Sequence, residues 1–110
     1  MSFFEKWEAA FNNKDLNGMA ELMHPEWTMV MHSTGKVIHL DEWKETFGKF
    51  IASDKFQRDK NRCIYENDEI MVSHSFVTFP NGTTDAVMYV GILKDGKLFR
   101  VETGSTPINS

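Results

Sequence analysis

Four polar residues in the second half of this 110-residue chain have the types and the spacing to do chemistry together. They are Asn61, His74, Tyr89 and Glu102. A histidine can exchange protons near neutral pH, a carboxylate can orient it, and a phenol can donate a hydrogen bond to a carbonyl oxygen. Catalysis, contact with a ligand without chemistry, and a structural hydrogen-bond row are all open readings of this set.

Four predicted strands joined by tight turns carry these residues. From residue 55 onward the apolar side chains alternate with a period of two, which is typical of strands. The predicted strands span residues 55–66, 69–80, 83–94 and 97–106. The turn signals between them are Asn67-Asp68, Asn81-Gly82 and Asp95-Gly96. Asn-Gly and Asp-Gly are the stronger signals because both residues of such turns adopt positive φ.

The register of the hairpins follows from the lengths of their loops. Two-residue loops at all three turns place the four residues in a single cross-strand row on one sheet face. A three-residue loop at the second turn would instead move Tyr89 and Glu102 to the face opposite His74. Neighbouring rows of the predicted face add Phe76 and Arg100. Arg100 could bind a ligand carboxylate or neutralise a nearby acidic residue.

Helical patterns and a short hairpin fill the first half of the chain. Ser2 predicts the start of one helix, Asp15 caps a second, and Asp41 caps a third. Residues 27–32 and 36–39 predict the two strands of the hairpin. Large apolar residues of these elements are predicted to wall a pocket above the polar row, and they are Trp27, Met29, Met31, Trp43, Phe47 and Phe50.

These elements predict a single α+β domain over residues 1–110. Its bent antiparallel sheet consists of the four-stranded meander and the N-terminal hairpin, and three helices cover one face. The opposite face is also apolar toward the last two strands, and a sheet that is apolar on both sides needs a cover on both sides. A second copy of the chain is the predicted cover, which gives a homodimer.

Composition narrows the function classes. A formal net charge of −4 argues against nucleic acid and against an anionic membrane surface as partners. The sequence lacks a signal-peptide pattern and any long apolar run, so a cytoplasmic location is expected. Cys63 is expected to be a small buried hydrophobic residue. His24, His32 and His39 do not have the spacing of metal ligands, so neither a metal nor a cofactor is expected.

Four segments carry a resemblance to a known family: the helical residues 7–11, the short helix 15–23, residues 24–27 before the first strand, and the Asp-Gly turn within 94–98. Their order and sequence resemble the nuclear transport factor 2-like superfamily, in its branch of SnoaL-like cyclases and ketosteroid-isomerase-like proteins. The resemblance implies a cone-shaped sheet wrapped by helices around a hydrophobic pocket. It also implies dimerisation through the outer sheet face.

The resemblance implies a range of functions. The superfamily includes isomerases, dehydratases, cyclases and epoxide hydrolases, many of which use Asp or Asp/His as acid–base groups. It also includes non-catalytic binding and association domains. Many cyclase-like members carry an aspartate in the last strand, whereas this chain has Ser105 and Thr106 there. The expected function is a homodimeric protein that binds a small apolar organic ligand. The alternatives are a cofactor-free isomerase, dehydratase or cyclase that uses His74 with Tyr89 and Glu102, and a non-catalytic association domain.

Overall fold

The computed structural model describes residues 2–31 and 34–108, so His32 lies outside the described residues. The helices are α1 (Phe3–Asn12), α2 (Leu16–Glu21) and α3 (Leu40–Ile51). The strands are β1 (Met23–Val30), β2 (Val37–His39), β3 (Gln57–Glu66), β4 (Ile70–Thr78), β5 (Thr84–Lys94) and β6 (Lys97–Pro107). The predicted α+β fold is confirmed. No helix in the described ranges is long and apolar enough to cross a membrane.

The six strands form one sheet in the order β2-β1-β6-β5-β4-β3. Neighbouring strands are antiparallel except β1 and β6, which run parallel. The sheet is therefore mixed, and the prediction of a purely antiparallel sheet was wrong. The physical reason is that β1 and β6 are far apart in the chain, so no hairpin turn fixes their relative direction.

The helix starts follow from local side-chain chemistry. Ser2 and Glu5 form the predicted capping box, with two hydrogen bonds of 3.1 Å. Asp15 caps α2 by accepting a hydrogen bond of 2.9 Å from the backbone N–H of Gly18. The predicted cap of α3 was wrong, because the helix begins one residue before Asp41. Asp41 instead lies in the first turn, where a carboxylate interacts favourably with the helix dipole.

The helices pack on one face of the sheet. We call this the inner face and the opposite one the outer face. The core between them includes Met19, Trp27, Leu98 and Val101, whose exposed fractions are at most 1%. Trp43 of α3 joins this core at 8% exposure. This packing fixes which side chains of each strand lie beneath the helices.

The loop between β4 and β5 decides the register of the meander. It comprises residues 80–82 rather than two residues, and within it Gly82 has a positive φ of 90°. A type I turn followed by such a glycine is a common three-residue hairpin. The residues of β5 are consequently shifted by one position, and Tyr89 pairs with Ser73 instead of His74.

The turn between β5 and β6 is the predicted two-residue turn. Asp95 and Gly96 have φ values of 55° and 75°, as a hairpin of this type requires. Beyond the turn, β6 has one residue more than β5, and a bulge at Phe99 accommodates it. Tyr89 therefore pairs with Thr103.

The turn between β3 and β4 lies one residue later than predicted. The Asn67 side chain accepts hydrogen bonds from the backbone N–H groups of Glu69 and Ile70, at 2.8 and 2.9 Å. The backbone of Asn67 also pairs with Ile70 at 2.9 Å. Asn67 is thus the residue before the turn, because its side chain competes for the turn's backbone donors.

Strand β3 contains a bulge that reverses its alternation. Between Asp59 and Arg62 it has one residue more than β4. Lys60 takes up the extra length with a positive φ of 55°, which is uncommon for a residue with a side chain. Asn61, directly after it, reaches the inner face.

Candidate functional site

A cavity of about 460 Å³ lies between the inner sheet face and the helices α1 and α3. Small-molecule sites in proteins are typically about 300–1,000 Å³. The two helices supply most of its roof, through Phe4, Trp7, Glu8, Phe11, Trp43, Thr46, Phe47 and Phe50. The strands supply its floor.

The roof is a set of packed aromatic rings. Trp43 stacks on Phe47 with ring centres 5.1 Å apart, and Phe11 meets Phe47 edge-on at 5.3 Å. Trp7 lies 6.4 Å from Trp43. Rings in such contact hold one another in place, so the roof presents a broad and ordered apolar surface.

The floor combines small and polar side chains with apolar ones such as Met29 and Val77. One cross-strand row contains Ser73, Tyr89 and Thr103. The row beside it joins Ser75 to Val87 of β5. Asn61 and Asp85 add an amide and a carboxylate to the floor. A bound molecule would contact aromatic rings on one side and hydroxyl, amide and carboxylate groups on the other.

A partly buried ion pair lines the same cavity. Arg58 of β3 donates a hydrogen bond of 2.8 Å to Glu8 of α1, and the two side chains are 11% and 14% exposed. The Arg58 guanidinium also lies 3.4 Å above the centre of the Phe11 ring. A second nitrogen of the same group donates to Asn12 at 3.3 Å. Three contacts with one helix therefore fix the position of this cation.

Burial changes the acidity of two groups in the cavity. Burial lowers the pKa of Arg58, while the neighbouring Glu8 carboxylate raises it. Burial raises the pKa of the Tyr89 phenol well above its usual range, and the charge of Arg58 opposes this shift. Tyr89 is therefore a neutral hydrogen-bond donor at physiological pH.

The predicted four-residue row does not form. Asn61 and Tyr89 lie on the inner face and line the cavity, whereas Glu102 lies on the outer face. The three-residue loop before β5 and the bulge in β6 each shift the register by one residue, and a one-residue shift changes the face of a side chain. Joint chemistry by His74, Tyr89 and Glu102 therefore lacks its geometric basis.

Two predicted site residues of β4, His74 and Phe76, lie on the outer face, because they alternate with the inward Ser73 and Ser75. The strand at His74 borders the cavity, but its neighbours Ser73 and Ser75 are the inward residues, and its ring meets Phe76 edge-on at 5.3 Å. Phe76 is therefore not a cavity wall. Its predicted role there was wrong.

Arg100 and Glu102 form a pair on the outer face. Their charged groups are 3.8 Å apart, and their side chains are 53% and 59% exposed. Of the two alternatives for Arg100, the structure shows the neutralising contact with an acidic residue. An exposed pair of this kind contributes little to stability.

The predicted walls are placed in two different regions. Met31, Trp43 and Phe47 line the cavity as expected. Trp27 lies in the core, 1% exposed, and meets Trp43 edge-on at 5.9 Å.

Cys63 is exposed, so its predicted burial was wrong. The reason is that β3 is an edge strand with a bulge on each side of Cys63.

Sequence reasoning missed the Glu8–Arg58 pair and Asp85. Arg58 stands in the mixed-charge run of residues 57–62, a pattern that is typical of a solvated edge strand. A usable signal existed in α1, where Glu8 lies between Phe4 and Phe11 on the apolar stripe of the helix. A charged residue within such a stripe must find a buried partner. Nothing in the sequence identified Arg58 as that partner. Among the described residues, no group of His, Cys, Asp and Glu gathers as metal ligands would.

Comparison with known proteins gives a consistent picture. The family model of the SnoaL-like domain matches residues 4–102. Among solved structures, a nuclear transport factor 2-like protein of unknown function from Burkholderia xenovorans matches with a TM-score of 0.80 and 9% identity, covering 98% of this chain and 83% of that one. A steroid delta-isomerase from Pseudomonas aeruginosa matches with a TM-score of 0.76 and 14% identity, covering 96% and 78%.

A third structure, a nuclear transport factor 2-like protein of unknown function from Mesorhizobium loti, has a TM-score of 0.79 at 10% identity, covering 94% of this chain and 88% of that one. Identities this low show that the fold is shared. They do not show that the proteins share an activity. Among curated proteins, none matches the sequence significantly. The predicted superfamily is confirmed.

Proposed function

Because the chain belongs to the SnoaL-like domain family, we propose that it binds a small, largely apolar organic molecule in the cavity under α1 and α3. The observation that carries this proposal is the lining of that cavity, with an aromatic roof and a polar floor. The fold offers the space, and the side chains supply the chemistry of recognition.

The size of the cavity supports the proposal on energetic grounds. Protein interiors are normally close-packed, and side chains that face a void forgo dispersion contacts. Here the side chains that face the void include large aromatic ones, such as Trp7, Trp43 and Phe47. A flat apolar molecule would restore these contacts, and its polar group could pair with the floor.

Ligand binding can be tested with acetylnaphthalene, a neutral bicyclic ketone. Titration calorimetry should show one site per chain, and the tryptophan fluorescence should change because Trp7 and Trp43 line the cavity. Replacing Val87 with tryptophan should abolish binding, since a large ring at this inward position fills the cavity.

The matched control is the same change at the next residue. Met88 points to the outer face and is 40% exposed, so Met88→Trp should bind the ketone like the parent. Equal loss of binding in the two variants, or binding that survives in Val87→Trp, would place the ligand elsewhere. No binding of any neutral bicyclic ketone to the parent would contradict the proposal.

We further propose that two copies associate through the outer sheet face. Four large apolar residues there are strongly exposed, with fractions of 45% for Ile64, 56% for Tyr65, 40% for Met88 and 37% for Ile92. The helices cover only the inner face, so no helix of the described residues covers this surface. An exposed apolar patch of this kind typically marks a protein interface.

Sedimentation equilibrium tests the association. The parent chain should sediment as a dimer, and Ile92→Glu should weaken the dimer about hundredfold or more, because a carboxylate would be buried without a partner. Lys97→Glu, at the exposed β5–β6 turn, is the control for added negative charge. A monomeric parent at micromolar concentration would refute the proposed interface.

A cofactor-free acid–base enzyme is the second candidate function. Tyr89 favours it, because a neutral phenol in an apolar cavity can stabilise a developing enolate oxygen. Asp85 is the inward carboxylate on the same strand, four residues away. That spacing is about 13 Å along a strand, so the two groups would act on different positions of a substrate.

Proton exchange separates an enzyme from a binding protein. Ketones that bind should exchange their α-protons for deuterium faster with the parent than in buffer alone. Asp85→Asn should remove the acceleration, and Tyr89→Phe should reduce it about a hundredfold. If ketones bind and none exchanges faster, the acid–base function is wrong while the binding function stands.

A further inference from the structure

The charged groups of the cavity are unevenly paired. Among the described residues, the acidic and basic side chains in its lining are Glu8, Arg58 and Asp85. Glu8 and Arg58 neutralise each other across 2.8 Å. Asp85 takes part in none of the ion pairs of the described chain. The lining thus contains two acidic side chains and one basic side chain, the partly buried Arg58.

The position of Arg58 does not depend on Glu8 alone. Its guanidinium lies against the Phe11 ring at 3.4 Å and donates to Asn12 at 3.3 Å. The group has five N–H donors, and the contacts to Glu8 and Asn12 occupy two of them. Removal of the charge of Glu8 would therefore leave a cation in place with free donors.

The ion pair treats neutral and anionic ligands differently. A carbonyl oxygen can accept from a free N–H of Arg58 while Glu8 keeps its own hydrogen bond. An organic anion would have to compete with the Glu8 carboxylate for the same cation, and at short range in a poorly solvated site like charges repel strongly. Asp85 adds to this repulsion.

We propose that the Glu8–Arg58 pair makes the cavity selective for neutral carbonyl compounds and excludes organic anions, with Glu8 as the residue that confers the exclusion. This inference rests on the proposed binding function and names the chemical class of its ligand. Arg58 touches the ligand, and Glu8 acts through Arg58.

Two probes with one ring system test the proposal. Acetylnaphthalene is neutral and naphthoate is its anionic counterpart. The parent should bind the ketone at least about tenfold more tightly than the anion. Glu8→Gln keeps the length and the hydrogen bond of the side chain and removes its charge, so it should raise the affinity for naphthoate about tenfold or more. The ratio of ketone affinity to naphthoate affinity should therefore fall in Glu8→Gln.

The matched control is Asp85→Asn, which removes one negative charge from the same cavity. If net charge alone decided selectivity, the two variants would gain equal affinity for naphthoate. The proposal expects the large gain only in Glu8→Gln, and expects Arg58→Met to cancel that gain in the double variant. Thermal melts confirm that each variant is folded.

Each outcome decides between the proposals. Ketone binding with no greater gain for Glu8→Gln than for Asp85→Asn overturns the selectivity and leaves the binding function intact. Equal affinity of the parent for the two probes also overturns it, and this measurement needs no variant. Failure of the parent to bind either probe overturns both.

Discussion

The two faces of the sheet are built from the same strands but have inverted chemistry. Along β5, the inward residues include Asp85 and Tyr89, while the outward residues include Met88 and Ile92. An antiparallel sheet usually has its apolar side chains inside and its polar ones outside. Here the part of the covered face beneath the cavity carries serines, threonines, an asparagine and an aspartate, and the open face carries exposed Met, Ile and Tyr.

We infer from this contrast that the inner face is suited to a bound ligand and the outer face to a second chain. Polar groups beneath the aromatic roof can pair with a bound ligand. They contribute little to the stability of the fold, because removing polar groups from water costs free energy. Apolar groups in water favour association. The remaining core beside β1 and β6, with Leu98 and Val101 fully buried, supplies the stability that the cavity does not.

The largest expected effect compares the roof with the outer face. Trp43→Ala should lower the free energy of unfolding by about 3–5 kcal/mol, because it removes a buried ring that contacts three other aromatic residues. Glu102→Ala, on the outer face, should change it by less than about 0.5 kcal/mol. Urea denaturation measures both. A larger loss at Glu102 would show that the outer ion pair contributes more than the roof.

A smaller effect compares two glycines. A Cβ at Gly91, on the inner face, would lie 2.5 Å from a methyl group of Leu98, which is fully buried and part of the core cluster. Gly91→Ala should therefore destabilise the protein by about 1–3 kcal/mol. Gly104, on the outer face, has nothing within 4 Å of such a Cβ, so Gly104→Ala should be neutral or stabilise by up to about 1 kcal/mol. Thermal melts that reverse this order would contradict the assignment of the faces.

The smallest effect is a dependence of the free energy of unfolding on pH, through Tyr89 of the inner face. Tyr89 keeps its proton in the folded state because its pKa is raised, while in the unfolded chain a phenol ionises near a pH of about 10. Its contribution to stability is complete below that pH. Above it, the unfolded state binds fewer protons, so the free energy of unfolding falls by about 1.4 kcal/mol per pH unit until the folded-state pKa is reached.

Absorbance of the phenolate measures this directly. In Tyr65→Phe, which removes the exposed tyrosine of the outer face, the signal should stay flat above a pH of about 10 until the protein unfolds. Gradual ionisation of Tyr89 before unfolding would mean that the cavity is open to water at that point.

The sequence by itself determined the elements and their order. The capping box at Ser2, the apolar stripes of α1 and α3, and the Asp95-Gly96 turn act within a few residues, so their patterns are visible without the fold. It also predicted the two-sided apolarity of the sheet and several cavity residues, among them Trp43, Phe47 and Tyr89. These signals are local.

The tertiary structure alone decided which residues share a face. One extra residue in the loop at 80–82, another at Phe99 and a third beside Lys60 each shift the alternation, and they separate His74 from Tyr89 while turning Asn61 inward. A pattern of period two cannot reveal such insertions, because a shifted strand still alternates. The pairing of Glu8 with Arg58 joins residues 50 positions apart, and only the packing of α1 against β3 brings them together.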